Sequence, residues 1–186
     1  MIPISRFIAL LACLAAFSAL GQAPQKIIPG KSTIRFVATQ MNVAVEGQFK
    51  KFDATVAFDP AKPQATRAEF EVDLASIDLA SEEGETEARR KPWLDVEAFP
   101  KAKFVASAVK QIAPGKYEAS GPLTIKGTTQ IITVPFTLVD ADGVRTVAGQ
   151  FAMKRLQFKI GEGPWADTDT VADEVLVRFR FALPFK

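Results

Sequence analysis

The chain has 186 residues, 48% of them hydrophobic, and a formal net charge of +2. So even a balance argues against a large electrostatic footprint for nucleic acid or an anionic membrane. There is no histidine and only one cysteine, which removes the commonest metal ligand, the commonest general base and any intrachain disulfide.

Arg6 is the only early charge, and Phe7 to Leu20 is apolar apart from small residues. That run, about 14 residues, is shorter than the roughly 20 of a membrane-spanning helix. Ala19-Leu20-Gly21 offers the small residues that a signal peptidase reads, so residues 1–21 are expected to be a secretory signal cleaved after Gly21. Cys13, in Leu10-Leu11-Ala12-Cys13, loosely resembles a lipoprotein signal, but the apolar stretch continues past it and an ordinary signal is the better reading. The expected product is a periplasmic or secreted protein of one domain, residues 22–186. It would lack cysteine, and loss of Arg6 would lower its charge from +2 to +1.

The rest alternates. Ile34, Phe36 and Ala38 share one face of a first strand, and Val43, Val45, Gly47 and Phe49 resume the pattern after Met41-Asn42. Phe52, Ala54, Val56 and Phe58 form a third run, stopped by Asp59-Pro60. Ala68, Phe70, Val72 and Leu74 then alternate against Arg67, Glu69, Glu71 and Asp73, one face buried and one wet.

Ser81 to Lys91 has no period of two. Ser81 followed by Glu82 and Glu83 suits a helix start, and Arg89 to Lys91 suit its end. Pro92 stops it, and Trp93, Leu94, Val96 and Phe99 read as an irregular plug against the sheet. Lys103 to Ile112 reads as one strand, and Pro114-Gly115 turns the chain into Tyr117 to Thr124. Gly121 to Asp140 is a hairpin about Lys126-Gly127-Thr128, with Thr124 and Lys126 on the face opposite Leu123 and Ile125. Pro135 donates no backbone hydrogen bond, so the ladder there must be open. Asp142-Gly143 is another turn, followed by Val147, Gly149, Phe151 and Met153 on one face. Gln157 to Ile160 is a short segment, Gly161 to about Val171 a loop, and Val175, Val177, Phe179, Phe181 and Leu183 alternate to the end. Eight or more antiparallel strands with one helical insertion must deal with their edges. Closure into a barrel does so and leaves room for a small ligand; a two-sheet sandwich is the alternative.

Three constellations carry possible chemistry. Ser107-Ala108-Val109-Lys110 has the S-x-x-K spacing of penicillin-recognising enzymes, but in a strand Ser107 and Lys110 point to opposite faces. Glu82, Glu83, Glu85 and Glu87 lack the alternation of a calcium loop and read as a solvated face, while Asp167, Asp169 and Asp173 read as turn-formers. Arg155 sits among apolar residues, where arginine is rarely buried unpaired. An ion pair with Asp167 or Glu46 is one role, and a contact to a polar ligand head is the other.

Residues 36–60 (FVATQMNVAVEGQFKKFDATVAFDP), SIDLA, KPWLDVEAFPKAKF, GPLTIKGTTQIITVPFTL and KRLQFKIGEGPWADTDTVADEVLVRF resemble the YceI-like family over essentially the whole domain. The resemblance implies an all-β, eight-stranded, lipocalin-like antiparallel barrel that holds a long isoprenoid lipid, polyprenyl or quinone, in an apolar tunnel. It implies no catalysis, cofactor or metal. Phe36, Phe49, Val56, Phe70, Phe104, Ile125, Phe136, Phe151, Phe179 and Phe181 are the expected lining, with Gln40, Arg155 and Trp165 at the head-group end. The expected partners are the lipid and, transiently, a membrane that exchanges it; nucleic acid is not among them, and the protein is a monomer or homodimer. Asn42 stands where the family usually has glycine, and Leu94 where it often has phenylalanine, which would reshape one end of the tunnel. A stress-related exported protein that works through protein contacts, its barrel filled by side chains, is the competing reading.

Overall fold

The computed structural model describes residues 23–185. The expected signal peptide, its cleavage after Gly21 and Cys13 lie outside the described residues. Among those described, the chain forms a single antiparallel sheet and one short α-helix. The strands are β1 (Gln25–Lys26), β2 (Thr33–Gln40), β3 (Val43–Phe49), β4 (Phe52–Ala57), β5 (Arg67–Asp73), β6 (Ile77–Asp78), β7 (Lys101–Ala106), β8 (Ala108–Ala113), β9 (Lys116–Ile125), β10 (Thr128–Ala141), β11 (Val144–Lys154) and β12 (Glu174–Pro184). The helix, α1 (Glu82–Arg89), lies between β6 and β7. Twelve strands thus stand where eight were expected, and the two-sheet alternative falls away.

The sheet runs β1-β4-β5-β7-β9-β10-β11-β12-β2-β3-β6, with β8 beside β9. Strands β3 and β4 lie near opposite ends of that path, yet only Lys50 and Lys51 separate them in sequence. The sheet is therefore curled into a half-barrel whose ends are tied at this corner. Lys50 N donates to Ser76 O, Asp73 N donates to Lys51 O, and Ile28 N donates to Ala182 O, which straps both flanks of the seam.

Local chemistry sets the strand pairing. The two-residue turns Met41-Asn42, Lys126-Gly127 and Asp142-Gly143 all have positive φ at both positions, the conformation whose twist matches that of the flanking strands. Asn42, at φ 63°, does here what glycine would do. Pro135 sits where the β10–β11 ladder is open, since that register begins at Phe136 opposite Gly149.

The stretch read as one strand from Lys103 to Ile112 breaks at Ser107. Phe104 pairs with Leu123 and Ala108 with Ser120, so four steps on one side match three on the other. This bulge turns β8 away from β5. Gly121 faces it, and a Cβ there would overlap the Val105 carbonyl oxygen. The short segment Gln157 to Ile160 follows from a 3-10 turn, residues Arg155–Phe158, that ends with Lys159 at φ 57°.

The inner face is aromatic. The Phe181 ring stacks on Phe70 at 4.8 Å and on Phe179 at 5.2 Å, and Tyr117 stacks on Phe136 at 5.3 Å. Outside, Lys26–Asp53, Lys101–Glu71 and Lys103–Glu69 form ion pairs across neighbouring strands. Exposed pairs of this kind contribute about 0.2–1 kcal/mol each, so the inner face dominates the stability.

Replacing a glycine by alanine in ordinary backbone stabilises by restricting the unfolded chain, but Gly121→Ala should do the reverse because its Cβ meets backbone. A loss of about 1–3 kcal/mol is expected in urea denaturation.

Candidate functional site

The curled sheet surrounds a cavity of about 620 Å³. Its wall is built from alternate residues of β2 to β5, β7 and β9 to β12, because a strand sends every second side chain to the same face. All ten residues expected to line it do face it: Phe36, Phe49, Val56, Phe70, Phe104, Ile125, Phe136, Phe151, Phe179 and Phe181. Gln40, Arg155 and Trp165 border the same space. Its size lies within the roughly 300–1,000 Å³ range of sites that enclose small ligands. Charged side chains on the wall are few: Glu87, paired with Arg90 at 3.0 Å, and Arg155.

Arg155 has a role that the sequence reading did not find. It is 1% exposed, and every N–H of its guanidinium donates to a backbone carbonyl. Nε reaches Ala172 O at 3.1 Å; Nη1 reaches Ile160 O at 2.9 Å and Gly161 O at 3.1 Å; Nη2 reaches Trp165 O at 2.8 Å and Val171 O at 2.7 Å. Neither the ion pair with Asp167 or Glu46 nor a head-group contact has a donor left to make it. Burial pushes the guanidinium pKa down, and Asp173 opposes that shift. The arginine clamps the loop between the 3-10 turn and β12 into a cover over one end of the cavity. At Gly161, φ is 76° and a Cβ would strike the guanidinium, so the clamp requires glycine there.

The same loop is laced to the rim of β2. Met41 N donates to Thr170 O and Ala172 N to Thr39 O, both at 2.9 Å, and Gln40 bridges to Val171. Gln40 is exposed at this rim, while the Trp165 ring is half-buried and lies 5.4 Å from Trp93. Asp167 caps its own turn, accepting from Asp169 N and Thr170 Oγ1 at 3.0 Å each. Asp173 accepts from Leu156 N.

Lys126 is a second correction. Expected on the wet side of a hairpin, it is 6% exposed. Its Nζ donates to Lys159 O at 2.7 Å and pairs with Glu162 Oε2 at 2.8 Å, while Pro92 O lies at 3.4 Å. The positive φ of 47° at Lys126 turns the side chain under the cover rather than away from it. Its ammonium, through that hydrogen bond, holds the Glu162 carboxyl below the usual glutamate range.

The helical segment closes the neighbouring flank. Ser81 Oγ accepts from Gly84 N at 3.2 Å, the cap its position predicts. Arg89 ties α1 to Ala75 O and Ile77 O, and Leu79 and Ala88 join the cavity wall. At the far end Arg145, 4% exposed, forms a two-pronged pair with Asp140 at 2.8 Å and lies over the Phe185 ring at 4.5 Å. No sequence pattern marked it, since its partners come from a hairpin strand and the chain end. Ser107 and Lys110 are engaged outside the cavity wall, Ser107 Oγ with Ser120 O and Lys110 with Glu118.

Comparison with known proteins gives one family. The YceI-like domain model matches residues 26–183. A UPF0312 protein of Pseudomonas savastanoi pv. phaseolicola is 37% identical over 93 residues, 50% of this chain and 48% of that one, so the match spans about half the length of such relatives. The crystal structure of Burkholderia cenocepacia BcnA superposes with a TM-score of 0.82 at 40% identity, over 84% of this chain and 98% of that one. A polyisoprenoid binding domain from Saccharophagus degradans, implicated in plant cell wall breakdown, superposes with a TM-score of 0.70 at 13% identity, over 89% of this chain and 99% of that one, which shows a shared fold.

Two expectations test the cover. Arg155→Lys offers three donors where five carbonyls converge, so it should cost about 2–5 kcal/mol and speed amide exchange across residues 160–172. Glu162→Gln removes the Lys126 pair. Because the folded-state pKa of Glu162 is depressed, its contribution is present above the ordinary value of 4.5 and lost as pH falls through the lower folded value. The stability gap between the native chain and this variant, measured by denaturation from pH 7 to pH 3, should close on the acid side.

Proposed function

The chain belongs to the YceI-like family, and on that premise we propose that it is an exported binding protein that sequesters or carries a long isoprenoid lipid, polyprenyl or quinone, inside its half-barrel. The cavity carries this reading: about 620 Å³ of space walled mostly by phenylalanine and aliphatic side chains, with no cationic donor free on its wall among the described residues. Each buried methylene contributes about 0.8 kcal/mol, so an isoprene unit adds on the order of 3 kcal/mol without needing a specific hydrogen bond. Affinity then grows with tail length until the space is full.

In this reading the cavity is a tunnel entered at the rim formed by Gln40, Glu87 and Trp165. Gln40 and Trp165 meet the polar head of the lipid there, while Arg155 holds the cover on which Trp165 is mounted. The ten apolar wall residues contact the tail. The protein acts by binding, not by turnover, in the periplasm or outside the cell. The polyisoprenoid binding named for the Saccharophagus degradans domain supports the ligand class by analogy of fold.

Mass spectrometry of an organic extract from protein purified under mild conditions tests the proposal. An isoprenoid near one per chain is expected. A clean extract, from folded protein that also refuses added polyprenol and quinone, would sink it and favour the protein-contact reading. Ala38→Trp, which places an indole on the wall near the rim, should lower bound lipid at least tenfold while the circular dichroism spectrum stays unchanged.

A further inference from the structure

The outer face of the sheet carries a cluster of like charges. Arg35 of β2 and Arg178 of β12 are direct cross-strand partners, and Arg180 follows two residues along β12, opposite Thr33. Their neighbours Ile34, Phe36, Val177, Phe179 and Phe181 face the cavity, so alternation sends all three arginines outward, where they are exposed. Among the described residues none of the three makes an ion pair. The nearest carboxylate is Glu46, opposite Val37 and so one diagonal step from Arg35 on the same outer face, while Glu174 is opposite Lys154 at the strand end.

This arrangement contrasts with β4, β5 and β7, where lysines and carboxylates alternate across the strands and pair. Like charges directly opposite in a sheet are destabilising, so the arginine pair is a local loss of stability that the fold tolerates. Beside the cluster stand Gln150, opposite Arg178, and Gln48, opposite Arg35, whose amide donates to Asp78 at 2.7 Å; Asp78 in turn is neutralised by Lys50. The small net charge of the chain gives no long-range field, but three guanidinium groups on one outer face make a local one.

We propose that this face, centred on Arg35, Arg178 and Arg180, docks the protein on the phosphate groups of an anionic lipid bilayer. Guanidinium is a planar fork that binds phosphate oxygens two at a time, and each basic residue close to an anionic bilayer strengthens attachment about fivefold. A protein partner would need large apolar or aromatic anchors at the centre of the patch, and the apolar neighbours here are the half-buried pair Val37 and Leu176 and the small Ala148 opposite Arg180. The choice of a bilayer rests on the carrier reading, in which the ligand must leave and enter a membrane; the cluster itself does not.

Sedimentation with vesicles tests the proposal directly. The full mature chain should bind vesicles of phosphatidylcholine with about one third phosphatidylglycerol, and bind pure phosphatidylcholine weakly. Binding should fall steeply when salt is raised from 50 mM to 500 mM. The triple variant Arg35→Gln, Arg178→Gln, Arg180→Gln should lose about a hundredfold in affinity for the anionic vesicles. It should also melt about 1–3 °C higher, because a repulsive pair has been removed, which separates lost docking from lost folding. Equal binding to both vesicle types, or an unimpaired triple variant, would overturn the proposal. So would capture by polyglutamate with no binding to anionic vesicles, which would assign the face to an acidic protein. Protein that co-purifies with an isoprenoid yet ignores anionic vesicles would overturn the docking face alone and leave the carrier reading standing.

Discussion

A sheet curled round an apolar space must satisfy the backbone polar groups of whatever covers its end, and here one guanidinium does most of that work. The loop from Ile160 to Ala172 turns five carbonyl groups toward one buried guanidinium. The buried pair, Gly161 O and Val171 O, would cost about 1–3 kcal/mol each if left without a donor. Arg155 supplies five N–H groups in a fixed planar fan, so the loop can lie across the cavity mouth with its carbonyls satisfied. The position of Trp165, the lacing to the β2 rim and the need for Gly161 all follow from that one side chain.

The rest of the cover uses the same device at smaller scale. Lys126 carries its ammonium beneath the loop and satisfies Lys159 O while pairing with Glu162. Arg145 does the equivalent at the other end, joining Asp140 to the Phe58 carbonyl and the Phe185 ring. Positive charge inside this protein is thus used to tie chain segments together. What remains on the cavity wall is mostly apolar, with Gln40, Thr66, Ser81 and Glu87 as its other polar members.

The wall and the outer surface are two faces of the same strands, so each residue along a strand answers to a different demand from its neighbour. Phe36 and Phe179 are fixed by the enclosed space, while Arg35 and Arg178 are free to serve what lies outside. On β4, β5 and β7 the outer positions are used for ion pairs that add a little stability. On β2 and β12, Arg35, Arg178 and Arg180 form no ion pair among the described residues.

The alternation of large apolar residues marked, by itself, most of the longer strands and their inward face, on which the ten residues expected to line the cavity lie. Turn residues marked two of the hairpins as well, because Lys126-Gly127 and Asp142-Gly143 carry glycine at a positive φ. Three things were decided only in three dimensions. The break at Ser107 depends on Gly121, fourteen residues away, letting the Val105 carbonyl close in. The burial of Lys126 depends on a cover drawn from residues 92 and 159–162. The role of Arg155 depends on carbonyl groups, which every residue carries and no sequence pattern displays. A side chain's face is a local property of a strand and is written in the sequence; the partner of a polar group is a property of where distant backbone comes to rest.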